Sequence, residues 1–225
     1  MKKKKNILKY LLLIIGAIVV LYFVVKAIII MNFNNKFNLL GDVPIEEKNI
    51  NTINLEENEY YNFNSIKLRN VFENYTTYNK SQTGVGLSSN DERKIFISSS
   101  VVDIVDYYTS EQINNFKKSG LENSIDLYEK FKNKERVNLF SFRDNLLDSI
   151  NLYNSLDVSD YFNDHSKVKE VEFGMIDGNN YILYIQDNNF TAISIYKNNK
   201  IEYSISFVNF EKSDVYNLIN TIKLD

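Results

Sequence analysis

The longest hydrophobic pattern in the chain is an apolar run from Tyr10 to Met31, which Lys26 alone interrupts with a charge. As a helix, these 22 residues would be about 33 Å long, which matches a membrane hydrocarbon core of roughly 30 Å. Fifteen of them are Leu, Ile, Val or Phe, which together favour insertion by on the order of 4 to 9 kcal/mol. Lys26 lies near the end of the run, so its flexible side chain can carry the ammonium group to the headgroups. The run therefore predicts a transmembrane helix over residues 10–31.

The lysines around this helix predict its orientation. Residues 1–9 form a basic tail with five lysines, whereas the other flank has only Lys36 nearby. Positively charged flanks stay in the cytoplasm, so we expect a single-pass protein of the cell membrane with residues 32–225 outside the cytoplasm. A cleaved signal peptide is the alternative, but its apolar region would be shorter and would end in a small-x-small cleavage site. A lipoprotein signal would require a cysteine, and the chain has none.

The hydrophobic pattern stops over residues 32–58. This stretch is rich in Asn and Glu, contains Pro44, the chain's one proline, and shows no sustained period of 2 or 3.6. We interpret it as a stalk or linker, which as a flexible chain would span about 30 Å on average. The remaining residues 59–225 suit one folded extracytoplasmic domain with its own core.

Between residues 60 and 98 the apolar positions are spaced as in β-strands. Residues 83–88 and 93–98 flank a Ser-Asn-Asp-Glu turn, which predicts a hairpin. The apolar spacing then changes to the helical one, with Ser100 and Asp103 as candidate capping residues. We predict helices over residues 101–108, 109–120, 121–131 and 142–153.

The C-terminal third has the clearest pattern. Four segments rich in β-branched and aromatic residues are separated by Asp, Asn and Gly, which favour hairpin turns: 168–176, 181–186, 190–197 and 201–208. Four strands joined in this way predict an antiparallel meander. Residues 211–224 follow as an amphipathic helix, whose apolar face needs a sheet to cover. The predicted fold class is thus α+β: an antiparallel β-meander sheet with mid-chain helices and a C-terminal helix packed on it.

Charge excludes some partners. From residue 32 onward there are 20 basic and 29 acidic residues, a net charge near −9 that the lysines of the first 31 residues mask in the whole chain. An acidic domain repels phosphate backbones, so we expect no nucleic-acid binding. The absence of cysteine excludes disulfides and thiol catalysis and is compatible with an exported protein.

The candidate chemistry is weak throughout. His165 is the one histidine, and Asp157, Asp160 and Asp164 near it lack the spacing of a calcium loop. Residues 98–100 are three serines without the context of a nucleophile elbow, and Gly84-Val-Gly86 lacks the remainder of a phosphate-binding loop. Carboxylate pairs such as Asp103 and Asp106 cannot be assigned acid and base roles from the sequence. We therefore expect no catalytic, cofactor-binding or metal-binding residues, and no enzyme.

Tyrosine is the exception, because the 16 tyrosines exceed what one core needs. AT-rich codons of a low-GC bacterial genome explain part of this excess, but tyrosine is also favoured at recognition surfaces. The candidate partner contacts are Tyr107, Tyr108, Tyr161 and Phe162. Two hypotheses remain open. One is a binding or accessory module of an envelope assembly, transport or immunity system, with a protein partner; the other is a tethered hydrolase of envelope material that uses carboxylates.

Overall fold

The computed structural model of the chain describes residues 2–37, 43–103, 106, 109–118, 122–133, 167–186 and 189–225. Within these residues the fold is α+β, with a large mixed sheet, a small second sheet and few helices, which confirms the predicted class. The helices are α1 (Lys2–Phe37), α2 (Ser110–Lys118), α3 (Ser124–Lys132) and α4 (Lys212–Ile219). The strands are β1 (Ile45–Glu47), β2 (Tyr60–Phe63), β3 (Ile66–Arg69), β4 (Thr76–Lys80), β5 (Gly84–Ser88), β6 (Lys94–Ser98), β7 (Val168–Ile176), β8 (Asn179–Gln186), β9 (Phe190–Lys197), β10 (Lys200–Val208) and β11 (Lys223–Leu224).

Helix α1 contains the predicted apolar span. Its segment Lys9–Asn32 is long and apolar enough to cross a membrane, a property that membrane anchors share with N-terminal signal sequences. Most of the apolar side chains between Tyr10 and Lys26 are exposed, as a lipid-facing surface would be.

The large sheet has the strand order β1-β7-β8-β9-β10-β6-β5-β4. The four C-terminal strands form consecutive antiparallel pairs at its centre, and the hairpin of β5 and β6 joins them through β10. Positive φ angles at Asp177, Gly178, Asn198 and Asn199 fit the turns that the sequence predicts between these strands. The sheet as a whole is mixed rather than antiparallel, because β1 pairs with β7 in the parallel direction.

The main core lies between one face of this sheet and two covering elements. Leu183, Ile193, Ile205 and Ile97 lie side by side on successive strands and are buried against β3 of the small sheet and α4. On the opposite face, Tyr128 of α3 packs edge-to-face against Phe173 and Tyr196. Helix α4 contributes its apolar residues Val215, Leu218 and Ile219 to the core, as its amphipathic pattern predicts.

The structure differs from the sequence prediction in the stretch 32–58. Helix α1 continues to Phe37, residues 45–47 form β1, and Ile50 is buried in the main core. Backbone hydrogen bonds from Lys48 and Ile50 to β7, and from Ile53 to Asn220, extend this attachment. A three-residue strand is too short to show a period, so the sequence pattern of residues 43–58 could not be distinguished from that of a linker.

Two further elements differ from prediction. Val102 exchanges backbone hydrogen bonds of 2.7 and 3.0 Å with Ile201 of β10, so the predicted helix over 101–108 does not include it. The C-terminal helix ends at Ile219, not at residue 224, because Lys223 and Leu224 pair with β3 instead, where they satisfy backbone groups of its open edge. The hairpin at 83–98 is confirmed, as are the helices predicted over 109–120 and 121–131, which the structure has at Ser110–Lys118 and Ser124–Lys132. The predicted helix over 142–153 lies outside the described residues.

Candidate functional site

The residues that the sequence singled out do not assemble into a site within the described part of the chain. The partner-contact candidates Tyr107, Tyr108, Tyr161 and Phe162 lie outside the described residues, as does His165 with its neighbouring aspartates. Their predicted roles therefore stay predictions.

The four tyrosines of residues 60–78 are mostly packed. Tyr60 is buried and its hydroxyl accepts a hydrogen bond from the Leu55 N–H. Tyr61 and Tyr75 make edge-to-face contacts with the buried Phe72. Tyr78 is different: it is 55% exposed and its ring lies over Gly86. Most of this group therefore serves the core.

The aspartate candidates Asp103 and Asp106 hold local structure. The N–H of Asp103 donates a 3.1 Å hydrogen bond to the Asp106 carboxylate, and the Asp106 N–H donates one of 2.9 Å to the Asp103 carbonyl. Asp103 itself is buried, accepts a 3.3 Å hydrogen bond from Ser124, and lies 3.6 Å from the Lys200 ammonium. This contact ties α3 to the end of β10.

An acidic cluster that the sequence analysis missed lies where β1 meets β7. The parallel register places Glu46 of β1 directly opposite Glu172 of β7, and Glu170 precedes Glu172 by two residues on the same strand. One carboxylate oxygen of each lies within 4.8 Å of those of the other two. Glu46 is exposed, Glu170 is partly buried and Glu172 is fully buried, so the acidic cluster runs from the surface into the core.

Glu172 is held by the tyrosine that faces it from α4. The Tyr216 hydroxyl donates a hydrogen bond to Oε1 of Glu172. Burial, reinforced by this bond, raises the pKa of Tyr216 well above its ordinary value. The second oxygen of Glu172, Oε2, is buried and has no hydrogen-bond partner in the described part of the structure.

Lys212, in the first turn of α4, brings a positive charge to the same place. Its ammonium group forms an ion pair with Glu170 and lies 3.9 Å from Oε1 of Glu172. Burial by itself would lower the pKa of Lys212, but the carboxylates of the acidic cluster outweigh it, so the pKa lies above its ordinary value and the group stays protonated.

The backbone of residues 48–50 closes the site on one side. Tyr181 of β8 donates a 2.7 Å hydrogen bond to the carbonyl oxygen of Lys48, and the Lys48 ammonium lies 3.7 Å from the centre of the Tyr216 ring. Gly174 permits this arrangement, because a side chain there would collide with the Lys48 backbone. The segment after β1 is thus packed against the sheet beside the acidic cluster.

Two chemistries suit this arrangement. Carboxylates with an ammonium group form a structural ion-pair network, and carboxylate oxygens converging within 4.8 Å can also bind a hard cation. Within the acidic cluster, Glu170 is ion-paired with Lys212 and Glu172 accepts a hydrogen bond from Tyr216.

The sequence carried one signal for the acidic cluster. Glu170 and Glu172 share a face of a predicted strand whose other residues are mostly apolar, and a glutamate on the core face of such a strand needs a partner. The pattern could not show which face is buried, and Glu46 comes from a strand that was not predicted. No protein-family model matches the chain, and no curated protein sequence is significantly similar to it.

Proposed function

We propose that the protein is a single-pass, membrane-anchored binding or accessory module whose folded domain lies outside the cytoplasm and acts close to the membrane surface. The observation that carries this proposal is the short connection between the apolar helix and the sheet. The apolar span ends at Asn32, α1 ends at Phe37, and the carbonyl oxygen of Pro44 already accepts a hydrogen bond from Val171 of β7.

Covalent geometry limits how far the domain can be from the bilayer. Seven residue steps from Phe37 to Pro44 span at most about 25 Å, and the helical residues between Asn32 and Phe37 add about 8 Å. A module held this close to the bilayer is suited to a partner at the membrane surface, such as a subunit of an envelope assembly, transport or immunity system. It is poorly suited to targets deep in the envelope.

The orientation rests on the lysines of the chain. Lys2, Lys3, Lys4, Lys5 and Lys9 precede the apolar span, and a flank of this charge favours the cytoplasmic side. Retention of the helix as an anchor, not as a cleaved signal, is supported by the length of its apolar span.

Cross-linking in intact cells tests the binding role. We expect the full chain to give a discrete adduct with a membrane protein, and we expect that adduct to disappear when α1 is replaced by a cleavable signal peptide that releases the domain. An adduct that forms equally well with the released domain would contradict a role that depends on the tether.

The alternative function is a tethered hydrolase of envelope material that uses carboxylates. The acidic cluster is the observation in its favour, since Glu170 and Glu172 lie together on β7, beside the edge strand β1. Incubating the full chain in detergent with isolated envelope glycan separates the two functions. A binding module leaves the glycan insoluble, whereas release of soluble fragments, lost in Glu172→Gln, would favour the hydrolase.

A further inference from the structure

The acidic cluster holds more negative charge than Lys212 neutralises. Three carboxylates meet two ammonium groups: that of Lys212 is engaged by Glu170 and is 3.9 Å from Oε1 of Glu172, and that of Lys48 lies over the Tyr216 ring. Repulsion between like charges this close is strong where one of them is buried, because water screens it poorly there. The arrangement is therefore suited to a further positive charge.

A second observation, independent of this charge balance, concerns one atom. Oε2 of Glu172 is buried and lacks a hydrogen-bond partner in the described part of the chain, although Oε1 of the same group accepts from Tyr216. Buried carboxylate oxygens are nearly always paired with a donor or a metal ion, since leaving one bare is costly. The atom belongs to Glu172, the innermost residue of the acidic cluster, and a cation that this carboxylate binds through Oε2 would supply the partner that the atom lacks.

We infer that Glu46, Glu170 and Glu172 form a binding site for a hard divalent cation of the calcium type. Carboxylate oxygens are the donors that such cations prefer, and the acidic cluster offers no nitrogen or sulfur to favour zinc or copper. Calcium also tolerates an irregular ligand set completed by water, whereas magnesium demands a near-octahedral one. The exposed Glu46 gives the ion access, and the buried Glu172 supplies the inner ligand.

Lys212 is the internal competitor of this ion. When the site is empty, its ammonium group partly compensates the carboxylates; when the ion binds, the long side chain swings towards solvent, where its tip already has access. This exchange predicts weak affinity, in the range of extracellular calcium modules with Kd of about 10⁻⁴ to 10⁻³ M.

The position of the site gives the ion a structural role. Glu46 belongs to β1, the strand that follows α1, whereas Glu170 and Glu172 belong to the central meander. A bound cation would therefore cross-link β1 to β7, in addition to the three residue pairs that join these two strands.

Calorimetric titration of the full chain in detergent micelles, after removal of metals with EDTA, tests this inference. We expect calcium to bind, and we expect Glu46→Gln and Glu172→Gln to weaken binding about tenfold or more, because each removes a charged ligand. Glu73→Gln is the matched control, since it makes the same change at an exposed residue far along the chain from the acidic cluster. If Glu172→Gln does not fold, the calcium affinity of Glu46→Gln, a change at an exposed residue, decides whether the acidic cluster binds the ion.

Lys212→Met distinguishes a cation site from an ion-pair network. Loss of the competing ammonium should raise calcium affinity about tenfold, and calcium should restore the melting temperature that the substitution lowers. Terbium, which takes the place of calcium in oxygen sites and emits when a nearby tyrosine is excited, should luminesce on binding and lose most of that emission in Tyr216→Phe. Calcium affinity that is the same in Glu46→Gln as in the unaltered chain, or a Lys212→Met protein that binds no calcium, would overturn the inference.

Discussion

The carbonyl oxygen of Lys48 lies 1.9 Å from the position that a side-chain Cβ atom would take at Gly174. The same oxygen accepts the hydrogen bond of Tyr181, and the Lys48 N–H donates to Phe173, so the backbone at residue 48 is fixed from two sides. Gly174→Ala should therefore displace the segment that follows β1. We expect a loss of about 3 kcal/mol in the free energy of unfolding, at the upper end of the cost of overpacking.

Gly86→Ala is the matched control for this substitution. Its Cβ atom would also meet a close neighbour, at 2.5 Å, but that neighbour is the ring of the exposed Tyr78, which can rotate away. Urea unfolding of both variants should show a loss of about 1 kcal/mol or less for Gly86→Ala. Equal losses at the two positions would show that the Lys48 backbone is not held as tightly as its contacts indicate.

Residues 43–54 should contribute to the stability of the domain. Ile50 is buried in the main core, and burial of one such side chain stabilises by roughly 1.5 to 3 kcal/mol. A fragment of residues 43–225 should therefore unfold cooperatively and at higher urea concentration than a fragment of residues 55–225. If the shorter fragment were as stable, β1 and Ile50 would be attached to the sheet without stabilising it.

How far the sequence predicted the fold depended on the length of each element. The strands of the meander have eight or nine residues each and clear turn residues between them, so their pattern located them to within two residues. Strands β1 and β11 have three and two residues and are defined by the partners that they find, β7 and β3. Such pairings depend on tertiary contacts, which a local pattern does not contain.

Thr221→Val should destabilise the contact between the small sheet and α4. The buried Thr221 hydroxyl accepts a 2.9 Å hydrogen bond from the Arg69 N–H and donates one of 2.7 Å to the Leu218 carbonyl. The isosteric valine would leave the Arg69 N–H without this partner, whereas the Leu218 carbonyl keeps its bond from the Thr221 N–H; we expect a cost of about 1 to 3 kcal/mol. Thr76→Val, at an exposed threonine of the edge strand β4, should cost much less in the same unfolding assay.

Alkaline pH should destabilise the domain steeply. Burial raises the pKa of Tyr128 to about 12, and also raises the pKa values of Tyr181 and Tyr216. These hydroxyls keep their protons in the native state at a pH where they ionise in the unfolded chain. The stability that these protonated tyrosines contribute is therefore complete below about pH 10 and decreases as the pH rises above that value.

Urea unfolding between pH 8 and 12, with tyrosinate absorbance as a second probe, measures this slope. Tyr128→Phe should flatten the pH dependence because one of the shifted groups is removed, whereas Tyr78→Phe, at a ring that is 55% exposed, should leave it unchanged. If the unaltered chain, Tyr128→Phe and Tyr78→Phe all lost stability with the same slope against pH, the alkaline destabilisation would not come from the buried tyrosines.

The site was less predictable than the fold, for a physical reason. Glu170 and Glu172 were visible in the sequence as acidic residues of a strand, but the site also needs Glu46 and Lys212, which are at least forty residues away from them in opposite directions. The parallel pairing of β1 with β7 brings Glu46 to the acidic cluster, and the packing of α4 on the sheet brings Lys212 there.

Labelling of single cysteines tests most directly the central claim, that the folded domain lies outside the cytoplasm on an uncleaved anchor. The chain has no cysteine of its own, so Asn79→Cys on the exposed strand β4 and Lys3→Cys in the basic tail each report one position. In intact cells we expect a membrane-impermeant maleimide to label residue 79 at once on a full-length, membrane-bound chain, and residue 3 only after permeabilisation. Labelling of residue 3 but not residue 79 before permeabilisation, or a labelled residue 79 on a shortened chain released from the membrane, would contradict the account.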